Sequence, residues 1–389
     1  MSEERPAGRR ALVVVLDACG AGALPDAADY GDAGTDTLGH LAQAVGGLRL
    51  PALERLGLGS IIPLEGVEQA HSPALHGRLH PLGPGKDSTT GHWELMGVVP
   101  ARPLPTYPAG FPPGVVSALE GAWGRGMLCA RPYDGLRALE DFGAEHLATG
   151  APIVYTSQDS VLQVAAHADV IEAAELYDLC SLAREVMSGE HAVGRVIARP
   201  FDGPAGAFAR TEGRRDLALD PPGRSYLDEL QDGGVPVHAV GKVGELFAGV
   251  GISGTYPAPT NRRAVEETAR LLDGQREGLI FTNLIETDQV FGHRKDVEGF
   301  HGALREIDAA VERWVQALLP GDLLVITADH GCDPAAAHSD HTREYAPLLA
   351  LWEGHDGRRH DGPMADVGAS VLRWLTGLEA AALPGHSFV

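Results

Sequence analysis

Residues 84 to 95 read PGKDSTTGHWEL, with three hydroxyl side chains in a row, Ser88, Thr89 and Thr90. A hydroxyl at the start of a helix faces free backbone N–H groups and the positive end of the helix dipole, so a phosphate ester formed on it is stabilised. The same cluster also suits plain helix capping, which favours Ser and Thr. Elsewhere, carboxylates and imidazoles stand where apolar runs end. Asp17 closes ALVVVLD, Asp288 and His293 follow GLIFTNL, Asp329 and His330 close on DLLVITA, and His341 comes eleven residues later in SDHTRE. A single Asp in such a place is ordinarily a turn or cap residue. Three carboxylates and three imidazoles together have the donor types for a pair of divalent cations such as Mn²⁺, Mg²⁺ or Zn²⁺. Such a pair clamps an in-line displacement at phosphorus, one cation on the attacking oxygen and the other on the leaving side.

The elements that must position these groups alternate along the chain. Short apolar, β-branched runs predict strands at 11–17, 152–156, 235–240, 278–284 and 322–328, and helical periodicity follows in AAELYDLCSLAREVM (173–187) and GALREIDAAVERWVQALL (302–319). This is the pattern of an α/β protein with a largely parallel sheet flanked by helices, and open sheets of that kind bind ligands at the carboxyl ends of their strands. Two stretches break the rhythm: PARPLPTYPAGFPP (100–113) holds six prolines, and PFDGPAGAFARTEGRRDLALDPPG (200–223) holds four. The segment between them has its own strands and helices. The expected organisation is a core over 1–101 and 216–389 with a smaller α/β domain over 102–215 inserted into it.

A chain of 389 residues with 44% hydrophobic composition can bury a sizeable core. Its formal net charge of −22 repels nucleic acid and anionic lipid, so neither is an expected partner, and an anionic substrate needs a local basic patch. Such a patch exists: Arg195, Arg199, Arg210, Arg214 and Arg215 crowd 21 residues, and arginine suits bidentate phosphate recognition. Surface ion pairs are the plainer explanation for Arg199 and Arg214. No segment reads as a signal peptide or a membrane span, and Cys19, Cys129, Cys180 and Cys332 lie far apart with no CxxC. That usage fits reduced thiols in the cytoplasm and argues against a thiolate zinc cluster. Nothing in the sequence bears on oligomeric state.

In order and spacing, VVVLDACGAGALPDAADYGDAGTDTLGHL, GKDSTTGHWELMG, YTSQDSVLQVAAH, GRVIARPF, TDQVFGHRKD and TADHGCDP with SDHTREYAPLL resemble the phosphopentomutases of the alkaline phosphatase superfamily. The resemblance implies an alkaline-phosphatase-like core with an inserted cap. It also implies an isomerase that interconverts ribose 1-phosphate, or its 2-deoxy analogue, and the 5-phosphate. Carried over residue by residue, Asp288, His293 and His341 would hold one Mn²⁺ and Asp17, Asp329 and His330 the other. The family's nucleophile is a threonine directly after the Lys-Asp pair, and here Ser88 stands there, with Thr89 the second choice. Ser157, Asp159, Val161, Arg195, Ile197 and Arg210 from the inserted segment and Lys242 from the core would meet the sugar and its phosphate.

A phosphoserine on Ser88 would then donate to a pentose monophosphate, pass through a 1,5-bisphosphate, and be primed by a sugar bisphosphate such as glucose 1,6-bisphosphate. Three features depart from the family pattern: CARPYDGL (129–136) replaces an Asn-x-Pro-Ala-Ser-Gly-Thr stretch, GRRD (213–216) replaces Arg-His-Asp, and ETD (286–288) replaces the Asp-Phe-Asp before the ligand histidine. The alternatives are another phosphosugar or phosphoglycerate mutase, a phosphohydrolase of the same superfamily, or a non-catalytic sugar-phosphate-binding protein.

Overall fold

The computed structural model describes residues 8–157 and 159–389; residues 1–7 and Gln158 lie outside the described residues. The chain divides into two compact units, Met1–Pro103 with Pro221–Val389, and Leu104–Asp220. In chain order, strands β1 (Arg10–Leu16) and β2 (Leu75–His80) fall in the first unit. The second holds β3 (Leu128–Pro132), β4 (Ile153–Thr156), β5 (Val161–His167), β6 (Arg195–Asp202), β7 (Ala209–Arg210) and β8 (Arg215–Ala218). The first unit resumes with β9 (Val237–Val240), β10 (Gly254–Tyr256), β11 (Gly278–Leu284), β12 (Asp322–Thr327), β13 (Ala346–Leu351) and β14 (Gly362–Pro363).

The first unit is built on an eight-stranded sheet in the order β10-β9-β11-β1-β12-β13-β2-β14. The five strands from β10 to β12 are mutually parallel, with Val13 of β1 paired to Phe281 on one side and Val325 on the other. All residues of β1, β11 and β12 are buried, which is why these strands read as continuous apolar runs rather than alternating ones. Parallel strands end on one edge, so the residues after β1, β9, β11 and β12 collect there. Two antiparallel pairings bring in the rest. β13 opposes β12, so the segment before it, with His341, lies at the same edge; β2 opposes β13, so it points that way again and delivers the turn before Ser88.

The helix expected at 302–319 runs over Val297–Ala317 instead, because the Asp296 side chain accepts the Gly299 amide at 2.9 Å and caps it five residues earlier.

The second unit has a mixed six-stranded sheet, β3-β4-β5-β6-β7 with β8 also on β6. Helices Pro113–Trp123 and Ala173–Val186 cover it through a core that includes Trp123, Leu162, Leu176 and Val196. In its centre β5 and β6 run parallel with Val161 opposite Arg195 and Gln163 opposite Ile197.

Candidate active site

The helix Ser88–Leu95 opens on a capping box: the Asp87 side chain accepts the Thr90 amide at 3.1 Å, and the Thr90 hydroxyl oxygen accepts the Asp87 amide at 3.4 Å. The capping role that sequence allows to the hydroxyl cluster therefore falls to Asp87 and Thr90. Ser88 is the first helical residue, and its hydroxyl is spared for other partners. Its Oγ lies 3.1 Å from His330 Nε2 and 3.4 Å from Asp17 Oδ1. Thr89 is buried, 8% exposed, one step further into the helix.

Around Ser88 the sheet edge gathers its acids and imidazoles. Asp17, Asp329 and His330 offer ligand atoms within 4.8 Å of one another, as do Asp288, His330 and His341. Asp288 Oδ1 is 3.3 Å from His341 Nε2 and 3.4 Å from His293 Nε2. A further group joins Asp288 and His293 to Cys332, a residue whose proximity nothing in its sequence spacing announces. Burial and nearby carboxylates push the Cys332 thiol far up, so with no cation beside it the group stays a thiol.

Three carboxylates this close and this buried are a strong cation trap. Burial raises the Asp17 carboxyl, and the charges of Asp329 and Asp288 raise it further. Burial works against the His330 imidazolium, yet Asp329, Asp17 and Asp288 together lift it well above its ordinary range. Asp288 is driven the other way: burial pushes it up, but the facing His341, His330 and His293 rings more than offset this and hold it ionised. Asp288 Oδ1 and Asp329 Oδ2 are buried and accept no well-aligned hydrogen bond among the described residues. Oxygen and imidazole ligand atoms, net negative charge and a buried Asp288 oxygen with no well-aligned donor fit a pair of hard or borderline divalent cations.

Supporting groups complete the site. The His330 Nδ1 faces the Gly331 carbonyl at 3.0 Å, so Nδ1 carries the proton and Nε2 points into the site. Asn283 donates to Asp17 Oδ2 at 3.1 Å. Ala18 adopts a left-handed φ of 64°, a conformation that costs an L-residue energy, and thereby aims its amide at Asp329 Oδ1 at 3.1 Å. Gly91 packs so closely that a Cβ there would stand 2.4 Å from the Asp329 carbonyl oxygen.

Lys242 begins the short turn after β9, and its charge acts on Asp17 to lower it. Lys86 pairs with the buried Asp32 at 3.0 Å, and Asp32 also accepts from His338 and from the Arg343 amide. Asp32, Asn283 and the packing of Gly91 and His92 are site features that residue types alone did not reveal. Asp26 and Asp36 have structural partners, Arg343 and the cap of helix Thr37–Ala44. Glu286 accepts the Asn261 amide, and Asp333 accepts from Asp36 and faces His40.

In the second unit Arg195 lies 3.6 Å from Asp159 and 3.7 Å from Asp216. Ser157 is exposed, whereas Val161 and Ile197 are buried, so any ligand reaching those two positions meets their backbone. Arg210 is exposed, and its guanidinium lies against Gly135, the first residue of helix Gly135–Thr149. Arg214 pairs with Asp216 at 2.6 Å and Arg199 donates to Gln163 at 3.1 Å, the ion-pair and framework roles of surface arginines. In the departing stretch, Cys129 and Ala130 take left-handed φ values of 74° and 52° where the β3–β4 register shifts.

An α/β sheet with acids and imidazoles at its carboxyl edge and a hydroxyl at a facing helix start defines a metalloenzyme of the alkaline-phosphatase-like class. The model of the metalloenzyme superfamily accordingly matches residues 9–377. The chain is 46% identical over 367 residues to the phosphopentomutase of Caldanaerobacter subterraneus subsp. tengcongensis, covering 93% of each. It is 45% identical over 388 residues to that of Carboxydothermus hydrogenoformans, covering 98% of each. Among solved structures, a Pyrococcus horikoshii protein aligns with a TM-score of 0.52 at 13% identity over 96% of this chain and 99% of its own, a likeness of fold.

The chain belongs to the phosphopentomutase family. It is thus an isomerase, a phosphotransferring mutase that uses divalent metal. No helix among the described residues is long and apolar enough to cross a membrane.

Proposed function

We propose that this enzyme interconverts ribose or 2-deoxyribose 1-phosphate and the corresponding 5-phosphate through a phosphoserine at Ser88. One observation carries the reading: the Ser88 Oγ stands at a helix start, free of capping duty, 3.1 Å from His330 Nε2 and 3.4 Å from Asp17 Oδ1. Asp17, Asp329 and His330 would hold one cation, and Asp288, His293 and His341 the other, a pair of Mn²⁺ or of Mg²⁺ or Zn²⁺. When bound, the cations supply charge neutralisation for the transferring phosphoryl group.

The chain's own residues do the rest. Phosphorylated Ser88 gives its phosphoryl group to the free hydroxyl of a bound pentose monophosphate; the P–Oγ bond breaks, a P–O bond to the sugar forms, and the hydroxyl's proton passes, net, to the departing Ser88 Oγ. The resulting 1,5-bisphosphate, turned end for end, returns its other phosphoryl group to Ser88. The amides at the helix start stabilise the ester on the serine. Lys242 adds positive charge beside the core site. In the second unit, read as a cap inserted between the two core segments, Ser157, Asp159 and Arg195 would meet the sugar by side chain and Val161 and Ile197 by backbone. Arg210, exposed in the second unit, would hold the non-reacting phosphate, since a guanidinium suits bidentate phosphate recognition. A sugar bisphosphate such as glucose 1,6-bisphosphate would load the serine first.

The test is product analysis with ribose 5-phosphate and 2-deoxyribose 5-phosphate in Mn²⁺ and a trace of glucose 1,6-bisphosphate. Formation of the 1-phosphate supports the proposal. Release of inorganic phosphate alone makes the enzyme a phosphohydrolase, and turnover of 3-phosphoglycerate in place of both pentoses makes it a different mutase.

A further inference from the structure

His92 lies one helical turn after Ser88, fully buried, with its ring stacked against Phe281 at a centroid distance of 5.8 Å. Its Nδ1 is 2.8 Å from the Ser88 carbonyl oxygen and 3.2 Å from Asp329 Oδ2. Both facing atoms are acceptors, so Nδ1 carries the proton. The carbonyl takes the better-aligned bond, and the carboxylate oxygen lies beside it. The other ring nitrogen, Nε2, is buried with no hydrogen-bond partner among the described residues. A residue kept here only for packing would be Leu or Phe, which fill the space without an orphaned nitrogen. The polar contribution of the ring runs through Nδ1 alone. Next to it, Gly91 rests directly on Asp329, where a Cβ would meet the backbone oxygen at 2.4 Å and the Asp329 Cβ at 2.8 Å. The remaining oxygen of that carboxylate, Oδ1, is already held by the Ala18 and His330 amides, both at 3.1 Å.

We propose that His92 is a positioning residue whose Nδ1–H ties the Ser88 backbone to the Asp329 carboxylate, registering the nucleophile's helix against the metal ligand. The proposal rests on the reading of Ser88 as nucleophile and Asp329 as ligand. It explains why a histidine follows the hydroxyl cluster at a spacing of four, the spacing that places it over the Ser88 carbonyl on one helix face. A donor to a ligating carboxylate fixes its orientation, and loss of such partners typically weakens metal binding 10- to 100-fold.

The experiment compares His92→Asn, which keeps an N–H near the Nδ1 position, with His92→Gln, which places its N–H near Nε2, and His92→Leu, which has none. Each full-length variant is titrated with Mn²⁺ by electron paramagnetic resonance of the free ion, and its phosphoenzyme yield from glucose 1,6-bisphosphate is measured at saturating Mn²⁺. His92→Asn should stay within about threefold of the wild type, while Gln and Leu should lose about 10- to 100-fold at one of two sites. Folded Gln and Leu variants with wild-type affinity at both sites overturn the proposal, as does an Asn variant as impaired as Leu. Should the variants fail to fold, the ¹⁵N spectrum of His92 in the wild-type protein with Mg²⁺ decides: a proton on Nδ1 is expected, and one on Nε2 alone overturns it. A wild-type protein that binds two Mn²⁺ and takes no phosphate would defeat the phosphoserine reading, while the Mn²⁺ titrations still judge His92.

Discussion

Gly91→Ala is a one-carbon change that should separate nucleophile from metal ligand. The added Cβ would sit 2.4 Å from the Asp329 carbonyl oxygen, 2.8 Å from its Cβ and 2.9 Å from its carbonyl carbon. Ordinary contact begins near about 3.4 Å, so the helix or the strand end must yield by about 1 Å, and neither neighbour is a flexible side-chain tip. Overpacking of this kind costs about 1 to 3 kcal/mol of stability, which a chain of this size survives. The displacement acts between the helix that carries Ser88 and the residue that carries the Asp329 carboxylate, and a misplacement of about 1 Å at a reacting centre can cost about 100-fold in rate. The assay is kcat for pentose phosphate isomerisation with Mn²⁺ at saturation, alongside a melting curve. Gly114→Ala, where no atom lies within 4 Å of the new Cβ, serves as the control and should leave both unchanged. A folded Gly91→Ala enzyme with wild-type kcat would refute the argument that this close contact sets the geometry of the site.

Other consequences can be checked independently. Chelation should lower the melting temperature and abolish activity, and Mn²⁺ should restore both; sites filled to a hundred times Kd add about 2.7 kcal/mol each, so an unchanged melting curve after exhaustive chelation contradicts two resident cations. Burial raises the Glu94 carboxyl from 4.5 to about 7 although the Leu82 and Gly83 amides donate to it. The folded state therefore binds the extra proton between those values, and stability falls as pH rises through that window, by roughly 3 kcal/mol in the limit. The unfolding free energy of the wild type relative to Glu94→Gln should drop between pH 5 and 8, and a flat difference would show that the buried carboxyl is ionised throughout. Arg210→Ala should raise the KM for pentose phosphate by an amount worth about 1.5 to 3 kcal/mol while Mn²⁺ affinity stays unchanged; an unaltered KM returns Arg210 to the exposed surface.

The sheet was legible because its central strands are buried on both faces: GLIFTNL is a strand over its full length, and Asp17, Asp288 and Asp329 could be read as strand-end residues without knowing the pairing order. The two antiparallel pairings that bring His341 and Ser88 to the same edge were not legible, since direction within a sheet leaves no mark on a local pattern. Ser88 stands out by its place after the Lys-Asp pair, but the reason it is free, that Asp87 and Thr90 form the capping box, depends on where the helix starts. Asp32 in YGDAGTD has no local mark that sets it apart from any loop acid, and only packing shows it buried between Lys86, His338 and Arg343. His92 did leave a signal, its spacing of four from Ser88, yet that spacing gains meaning only when Asp329 is found on the other side of the ring.

The central claim is that Ser88 carries the phosphoryl group. The most direct measurement is peptide mapping by mass spectrometry after incubation of the Mn²⁺-loaded protein with glucose 1,6-bisphosphate, run beside Ser88→Ala and Thr89→Ala. Phosphate on Ser88 in the wild type and in Thr89→Ala, and none in Ser88→Ala, is the expected result. Phosphate on Thr89, or a Ser88→Ala protein that still isomerises pentose phosphate, would contradict it.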